Sequence, residues 1–198
     1  ILILNDYDIF YIKKLYLINK NLDSINDKGN TPLHLCMYNK KYDIAEYLIK
    51  NNCSLDIKNI SGLTPLDVLI THEQIDIKLV SYFKNIINIK TLFRYLKNDN
   101  ISIEIFYILL TNTTNIFKKN KDGNNLLLLI AKKYISNPIL KIKLFNILDQ
   151  FKYNFNVLNK NNENALILQM KYNYNYNITK YLIKKKVSTL TKDKNNNN

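Results

Sequence analysis

Few residues of this sequence have side chains that could carry catalysis or hold a metal. Two histidines, His34 and His72, and two cysteines, Cys36 and Cys53, occur in 198 residues. No serine or cysteine has a histidine and an acid at the spacing of a nucleophilic triad, and these four residues do not form a regularly spaced set of metal ligands. The sequence has no glycine-rich phosphate-binding motif. We therefore expect that the protein is not an enzyme and has no catalytic residues, no metal and no cofactor.

A repeated segment contains His34 and gives it a defined context. Residues 26–35, with the sequence NDKGNTPLHL, recur 33 residues later as NISGLTPLDV at residues 59–68. In both copies a glycine supplies a turn with positive φ, and Thr-Pro starts a helix because proline suits the first helical position. A fixed period of this length predicts a repeat architecture.

This pattern resembles the ankyrin repeat, whose unit runs D-x-x-G-x-T-P-L-H-x-A through a short inner helix, a tight turn, a longer outer helix and a projecting loop. The resemblance implies that His34 bonds to the backbone and ties adjacent repeat units together. It also implies that Asp67 is a variant turn residue and that Cys36 has a buried, unreactive thiol. At the end of the outer helix, Asn52 takes the place of the usual glycine, which predicts a left-handed conformation there.

The outer helix of the first regular unit has a distant copy. Residues 44–50 read IAEYLIK and residues 178–184 read ITKYLIK, which are 134 residues apart. Further outer helices are predicted at residues 15–21, 80–83, 107–110 and 145–148, and glycine-equivalent turn positions at residues 29, 62, 88, 123 and 162. We therefore predict an all-α fold, an ankyrin-type helical repeat solenoid of stacked antiparallel helix pairs with about five to six units.

The predicted domain is a single array over residues 1–191. Its repeat units are expected at about residues 1–25 (partial), 26–58, 59–84, 85–119, 120–158 and 159–191. Because one helix pair cannot bury its own apolar face, neighbouring units must stabilise each other. Residues 192–198, which end in four asparagines, are predicted to form a polar, disordered tail.

The net charge of +13 is unevenly distributed. Residues 1–88 contain equal numbers of acidic and basic residues, so the whole excess lies in residues 89–198. Arg94 is the single arginine, and the bidentate fork that reads guanine or clamps phosphate is therefore almost missing. Nucleic-acid binding is disfavoured and is expected to be at most non-specific. The apolar runs are far shorter than the roughly 20 residues that cross a bilayer, so no membrane association is expected.

The resemblance implies a non-catalytic protein–protein interaction module, a scaffold or adaptor that binds a partner protein through loop tips and inner helices. The family's variable surface positions correspond to Asp27, Lys28, Asn30, Tyr38 and Asn39 in the first regular unit and to Ile60, Ser61, Leu63, Thr71 and His72 in the second. Among these, Tyr38, Ile60 and Leu63 are the expected anchors, because aromatic and aliphatic groups contribute most at the centre of an interface.

We expect the protein to be a monomer. Two cysteines cannot form a disulfide framework, so we expect a reducing, intracellular compartment, the cytoplasm. Two alternatives stay open. In one, the basic residues 89–198 bind an anionic surface, either nucleic acid or an acidic protein. In the other, the array is a targeting module of a larger protein.

Overall fold

The computed structural model describes residues 21–72 and 75–196. Regular secondary structure in these residues is helical, without a strand. The chain forms two compact bodies, an N-terminal body up to Ile87 and a C-terminal body from Asn88. The N-terminal body contains α1 (Pro32–Tyr38), α2 (Tyr42–Lys50), α3 (Pro65–Leu69), α4 (Ile77–Tyr82) and a short 3-10 helix (Lys84–Ile86). The C-terminal body contains α5 (Ile89–Tyr95), α6 (Ile103–Thr111), α7 (Leu126–Lys132), α8 (Pro138–Gln150), α9 (Ala165–Asn173) and α10 (Tyr176–Lys184).

Inner helices pack against inner helices, and outer helices pack against outer helices. In the N-terminal body, α1 packs against α2 and α3, and α2 packs against α4. In the C-terminal body, α7 packs against α5, α8 and α9, and α8 packs against α6 and α10. This alternation is the packing of stacked helix pairs, and the predicted all-α, ankyrin-type helical repeat fold is confirmed.

The apolar sequence of α7 follows from its position. Five of its seven residues are almost completely buried: Leu126, Leu127, Leu128, Ile130 and Ala131. A helix that is apolar on all sides must be covered on all sides. The neighbours α5, α8 and α9 provide that cover. In contrast, α2 and α10 bury one stripe each and keep the opposite face polar.

A side-chain cap fixes the start of every inner helix in the described residues. Ser, Thr, Asn and Asp are preferred at this position, because their side-chain oxygen accepts a backbone N–H that the helix leaves unpaired. The caps are Thr31, Thr64, Asn88, Asn125 and Asn164, at steps of 33, 24, 37 and 39 residues. The prediction that residue 88 is a glycine-equivalent turn position was therefore wrong. Asn88 has a φ of −143° and caps α5.

The turns before four of these helices share one hydrogen-bonding pattern. The side-chain oxygens of Asn26, Asn59, Asn120 and Asn159 accept backbone N–H groups two or four residues further along the chain. Three residues after each asparagine, the backbone has a positive φ, at Gly29, Gly62, Gly123 and Asn162. This confirms the other four glycine-equivalent positions.

Residues 193–196 adopt a further copy of this turn. The carboxylate of Asp193 accepts the N–H of Asn195 at 2.8 Å, and Asn196 has a φ of 70°. The N–H of Lys194 donates to the carbonyl of Asn161 at 3.1 Å, as Lys160 donates to Asp122 one repeat earlier. These hydrogen bonds give residues 193–196 a defined conformation, within the segment predicted as a disordered tail.

The predicted outer helices at residues 44–50, 80–83, 107–110, 145–148 and 178–184 coincide with α2, α4, α6, α8 and α10, except that Phe83 is the C-cap of α4. Asn52 has a φ of 63°, as expected for a residue in place of glycine. The outer helix at residues 15–21 and the partial unit 1–25 fall mainly outside the described residues. Each of the other predicted units contains one helix pair, and their assignment to a single array stays a prediction. No helix in the described part of the chain is long and apolar enough to cross a bilayer.

Candidate binding surface

His34 lies in the capping box of α1 and connects two repeats. Its Nδ1 accepts the backbone N–H of Thr31 at 3.2 Å, so Nε2 carries the proton and donates to the carbonyl of Leu63 at 2.9 Å. Burial lowers the pKa of His34, against the opposing effects of the Leu63 carbonyl and Asp67. The neutral ring fits both hydrogen bonds. The predicted role of His34 as a tie between adjacent repeats is confirmed.

Asp67 occupies the position that corresponds to His34 in the second repeat. One carboxylate oxygen accepts the backbone N–H and the hydroxyl of Thr64, both at 3.1 Å. The hydroxyl oxygen of Thr64 in turn accepts the backbone N–H of Asp67 at 3.2 Å. These bonds form a reciprocal capping box, so Asp67 is the variant turn residue that the sequence predicts.

The other side chains that could carry chemistry are the two cysteines and His72. Cys36 and Cys53 are buried, and burial raises the pKa of each thiol to about 12. Both therefore stay protonated at neutral pH, and a thiol is a weak nucleophile. His72 is half-buried, with Nε2 at 2.7 Å from the carbonyl of Met37.

The turn tips of the first two repeats form one continuous strip in the N-terminal body. The backbone N–H of Ile60 donates to the carbonyl of Lys28 at 3.1 Å. The Asn59 amide donates to the Asn30 side chain at 2.8 Å and lies 3.4 Å from the hydroxyl of Tyr38. These contacts bring the end of α1 and two successive turn tips together.

The predicted binding residues differ in their exposure. Those exposed are Asp27, Lys28, Tyr38, Asn39, Ile60, Ser61 and Thr71; Leu63 and His72 are half-buried; and Asn30 is only 7% exposed. The side-chain oxygen of Asn30 is occupied by Asn59, so Asn30 holds the two turns together and offers little surface to a partner. The exposed strip therefore centres on Ile60 and Tyr38.

The C-terminal body has a second surface on its turn tips and inner helices, which the sequence did not single out. A cavity of about 390 Å³ is lined by Lys121, Asp122, Asn124, Lys132, Asn159, Lys160, Asn161, Glu163 and Tyr172. We call it the lysine groove. A smaller cavity of about 200 Å³ adjoins it and shares Asn161 and Glu163. Since lysine and asparagine are abundant everywhere in this sequence, their clustering here has no distinct sequence signal.

Buried polar groups form the floor of the lysine groove. The two amide hydrogens of Asn159 go to Asn124 at 3.1 Å and to Glu163 at 2.7 Å. The other carboxylate oxygen of Glu163 forms an ion pair with Lys171 at 2.8 Å. Burial on its own raises the pKa of Glu163, but the hydrogen bonds from Asn159 and Lys171 outweigh it and hold the pKa below its ordinary value. Glu163 is therefore ionised at neutral pH, and each of its carboxylate oxygens has a hydrogen-bond donor.

Known sequences are similar to part of the chain. Residues 17–69 match the family model described as ankyrin repeats in many copies. Ankyrin repeat protein OPG189 of Variola virus is 34% identical over 68 residues, which are 34% of this chain and 12% of that protein. NF-kappa-B inhibitor alpha of Gallus gallus is 42% identical over 43 residues, 22% of this chain and 14% of that protein. The chain thus matches only a small part of the length of these curated relatives.

Solved structures extend the similarity over most of the chain. The human ASB11 ankyrin repeat domain has a TM-score of 0.74 at 13% identity and covers 96% of this chain and 84% of its own. A structure of the Bd0816 predatory endopeptidase from Bdellovibrio bacteriovorus in complex with the immunity protein Bd3460 gives 0.68 at 23% identity, over 88% and 91%. The ankyrin repeat domain of Bcl-3 gives 0.67 at 16% identity, over 89% and 77%.

Stacked helix pairs, capped inner helices and hydrogen-bonded turn tips define this protein as a helical repeat protein. Residues 17–69 match ankyrin repeats by sequence, and the fold is that of ankyrin repeat domains. Ankyrin repeats are generally protein–protein interaction modules.

Proposed function

We propose that this protein is a non-catalytic scaffold or adaptor that binds a partner protein through the strip of turn tips in its N-terminal body. The exposure of Ile60 carries this proposal. Its side chain is 78% exposed at the tip of a turn, and Tyr38, at the end of the inner helix, is 45% exposed.

The hydrogen bonds that hold the turn at Ile60 come from the backbone and from Asn59, not from apolar side-chain atoms. The backbone N–H of Ile60 donates to Lys28, and the turn is held by Asn59 and by the positive φ of Gly62. An aliphatic and an aromatic group on a backbone fixed in this way can be covered by a partner without reordering the chain. Such pre-organised apolar anchors are typical of interface hot spots.

Two features favour binding over catalysis. Both histidines use ring nitrogens on backbone groups, and both cysteines are buried with raised pKa values. The relatives support the same conclusion, because one is an inhibitor of NF-kappa-B by name and one similar structure is a complex with an immunity protein.

The test compares two matched isoleucines in the N-terminal body. Ile60 lies on the turn strip, whereas Ile77 lies on the outer helix α4 and is also exposed. Partners captured by the unchanged chain are identified, and the affinity of the strongest is measured with I60S and I77S. We expect I60S to weaken binding by about 1–2 kcal/mol and I77S to leave it unchanged.

Circular dichroism and thermal unfolding of both variants serve as controls for folding. Equal affinities for the unchanged chain, I60S and I77S would contradict binding through the strip. The same holds if only I77S loses affinity.

A further inference from the structure

The lysine groove of the C-terminal body contains three lysines that form no salt bridge with the residues that the structure describes. Lys121, Lys132 and Lys160 line the cavity, and none of them forms an ion pair with a carboxylate of the described residues. Lys171, in contrast, is held by Glu163 at 2.8 Å. The groove therefore presents ammonium groups that are not held in ion pairs and that outnumber the carboxylates of its lining.

A buried amide adds a neutral donor to this surface. Asn124 is only 4% exposed and lines the cavity. Its side-chain oxygen accepts from Asn159, which fixes the orientation of the amide. The amide nitrogen of Asn124 has no acceptor among the described residues. This nitrogen faces the cavity, so it can donate to a ligand that brings an acceptor oxygen.

An aromatic side chain forms one wall of the groove. The ring of Tyr172 lies 4.9 Å from Nζ of Lys132 and 5.5 Å from Nζ of Lys171. The ring holds these lysines near its face by cation–π attraction, and its edge offers apolar surface. Methylene groups and extended backbone can pack on such a surface.

We propose that the lysine groove binds an acidic segment of a partner protein, in which Asp or Glu alternates with neutral residues. The carboxylates accept from Lys121, Lys132 and Lys160, an acceptor oxygen takes the free hydrogen of Asn124, and the segment packs on Tyr172. This inference rests on the proposed function, because it treats the repeats as a protein-binding surface and names the chemistry of the bound segment.

The walls of the groove favour a peptide over nucleic acid. Asp122 and Glu163 line the same cavity and repel a chain that carries a negative charge at every step. A peptide can place a neutral residue opposite each of these carboxylates, because side chains of an extended strand alternate between its two faces. The groove has no arginine, so the bidentate contacts that favour phosphate are missing.

The test uses three short labelled probes and fluorescence anisotropy. The first is a peptide in which Glu alternates with Ser, the second replaces Glu by Gln, and the third is an oligothymidylate of equal length. Each is titrated with the full chain at about 50 mM and about 150 mM salt, because screening weakens non-specific attraction first. We expect the Glu peptide to bind more tightly than both other probes at the higher salt concentration.

Two triple variants with the same change in net charge locate the site. The groove variant combines K121Q, K132Q and K160Q, and the control variant combines K118Q, K143Q and K184Q, all of them exposed lysines of the C-terminal body. We expect the groove variant to weaken binding of the Glu peptide about tenfold and the control variant to change it less than about twofold.

Three results would overturn the inference: equal losses in both variants, no preference for the Glu peptide over the Gln peptide, or tighter binding of oligothymidylate that depends on the groove lysines. These results are independent of I60S. Loss of the captured partner in I60S without binding of the Glu peptide would leave the proposed function intact and refute the acidic ligand.

Discussion

At the scale of single residues, the turns that open the repeats need a left-handed backbone at one position. Glycine fills it at Gly29, Gly62 and Gly123, and asparagine fills it at Asn162 and Asn196. Asparagine tolerates this conformation better than most residues with a Cβ atom, because its short polar side chain can hydrogen-bond locally. The glycines differ in the space around them, and this difference can be measured.

Substitution by asparagine separates the need for left-handed backbone from the need for space. A Cβ at position 62 would meet nothing within 4 Å, whereas a Cβ at position 123 would lie 2.7 Å from the backbone nitrogen of Lys160. We expect G62N to change the free energy of unfolding by less than about 1 kcal/mol. We expect G123N to cost about 2–3 kcal/mol, because the turn at Lys160 must move and its hydrogen bond to Asp122 lengthens.

Urea unfolding followed by circular dichroism measures both variants. G62A serves as a control, because alanine has the same Cβ as asparagine but is strained at positive φ, and it should cost about 1 kcal/mol. If G123N were as stable as G62N, the close approach of Gly123 to Lys160 would not contribute to stability.

At the scale of elements, Lys141 joins outer helix α8 to the end of inner helix α7. The side chain is completely buried, and Nζ donates to the carbonyls of Ala131 and Lys133 at 2.9 and 2.8 Å. The last carbonyls of a helix have no partner within the helix, and Lys141 supplies one. Burial, with a smaller contribution from the charge of Lys133, lowers the pKa of Lys141 to about 8.

Replacement of Lys141 by methionine keeps the volume and removes the donor. We expect K141M to cost about 1–3 kcal/mol at neutral pH, because two carbonyls lose their hydrogen bonds. The pKa is lower in the folded chain than its ordinary value of 10.5, so the unfolded chain binds more protons between these values. The stability of the unchanged chain relative to K141M should therefore rise from pH 8 to about pH 10.

Urea unfolding at about pH 7 and about pH 9.5 measures the pH effect. The matched control is K143M, which replaces an exposed lysine of the same helix. A stability difference between the unchanged chain and K141M that does not increase with pH would show that Lys141 keeps an ordinary pKa in the folded protein.

The sequence predicts the helices better than the turns and contacts that connect them. The Thr-Pro caps and the copies of the outer helix identify the helices, because local hydrogen bonds and apolar stripes determine both. The prediction of a glycine-equivalent position at residue 88 was wrong, because Asn88 is a cap in a sequence where asparagine is too common to mark a turn. The burial of Lys141 and of Asn30 depends on contacts between elements, which the type of residue does not reveal.

At the scale of the whole molecule, the described helices contact mainly their neighbours in the repeat order. Each inner helix packs against the next inner helix of its body, and each outer helix packs against the next outer one. Such connectivity makes stability a sum of local terms.

The net positive charge is also divided between the two bodies, because the excess of basic residues lies after residue 88, where the C-terminal body begins. A partner of the turn strip and an acidic segment in the lysine groove would therefore differ in their dependence on salt.

Removal of the last outer helix tests the local character of this stability. Deletion of residues 176–198 takes away α10, whose Ile178 and Leu182 are buried, and uncovers the faces of α8 and α9 against which it packs. We expect the hydrogen-exchange protection of amides in α8 and α9 to fall at least about tenfold, because their opening no longer breaks contacts with α10. Amides of α1 and α3 should keep their protection, since a repeat is stabilised by its nearest neighbours.

The single substitution L182A should reproduce the effect in milder form. It should lower the free energy of unfolding by about 2–5 kcal/mol, and only in the C-terminal body. Loss of protection in α1 and α3 in either variant would show that the chain unfolds as one cooperative unit.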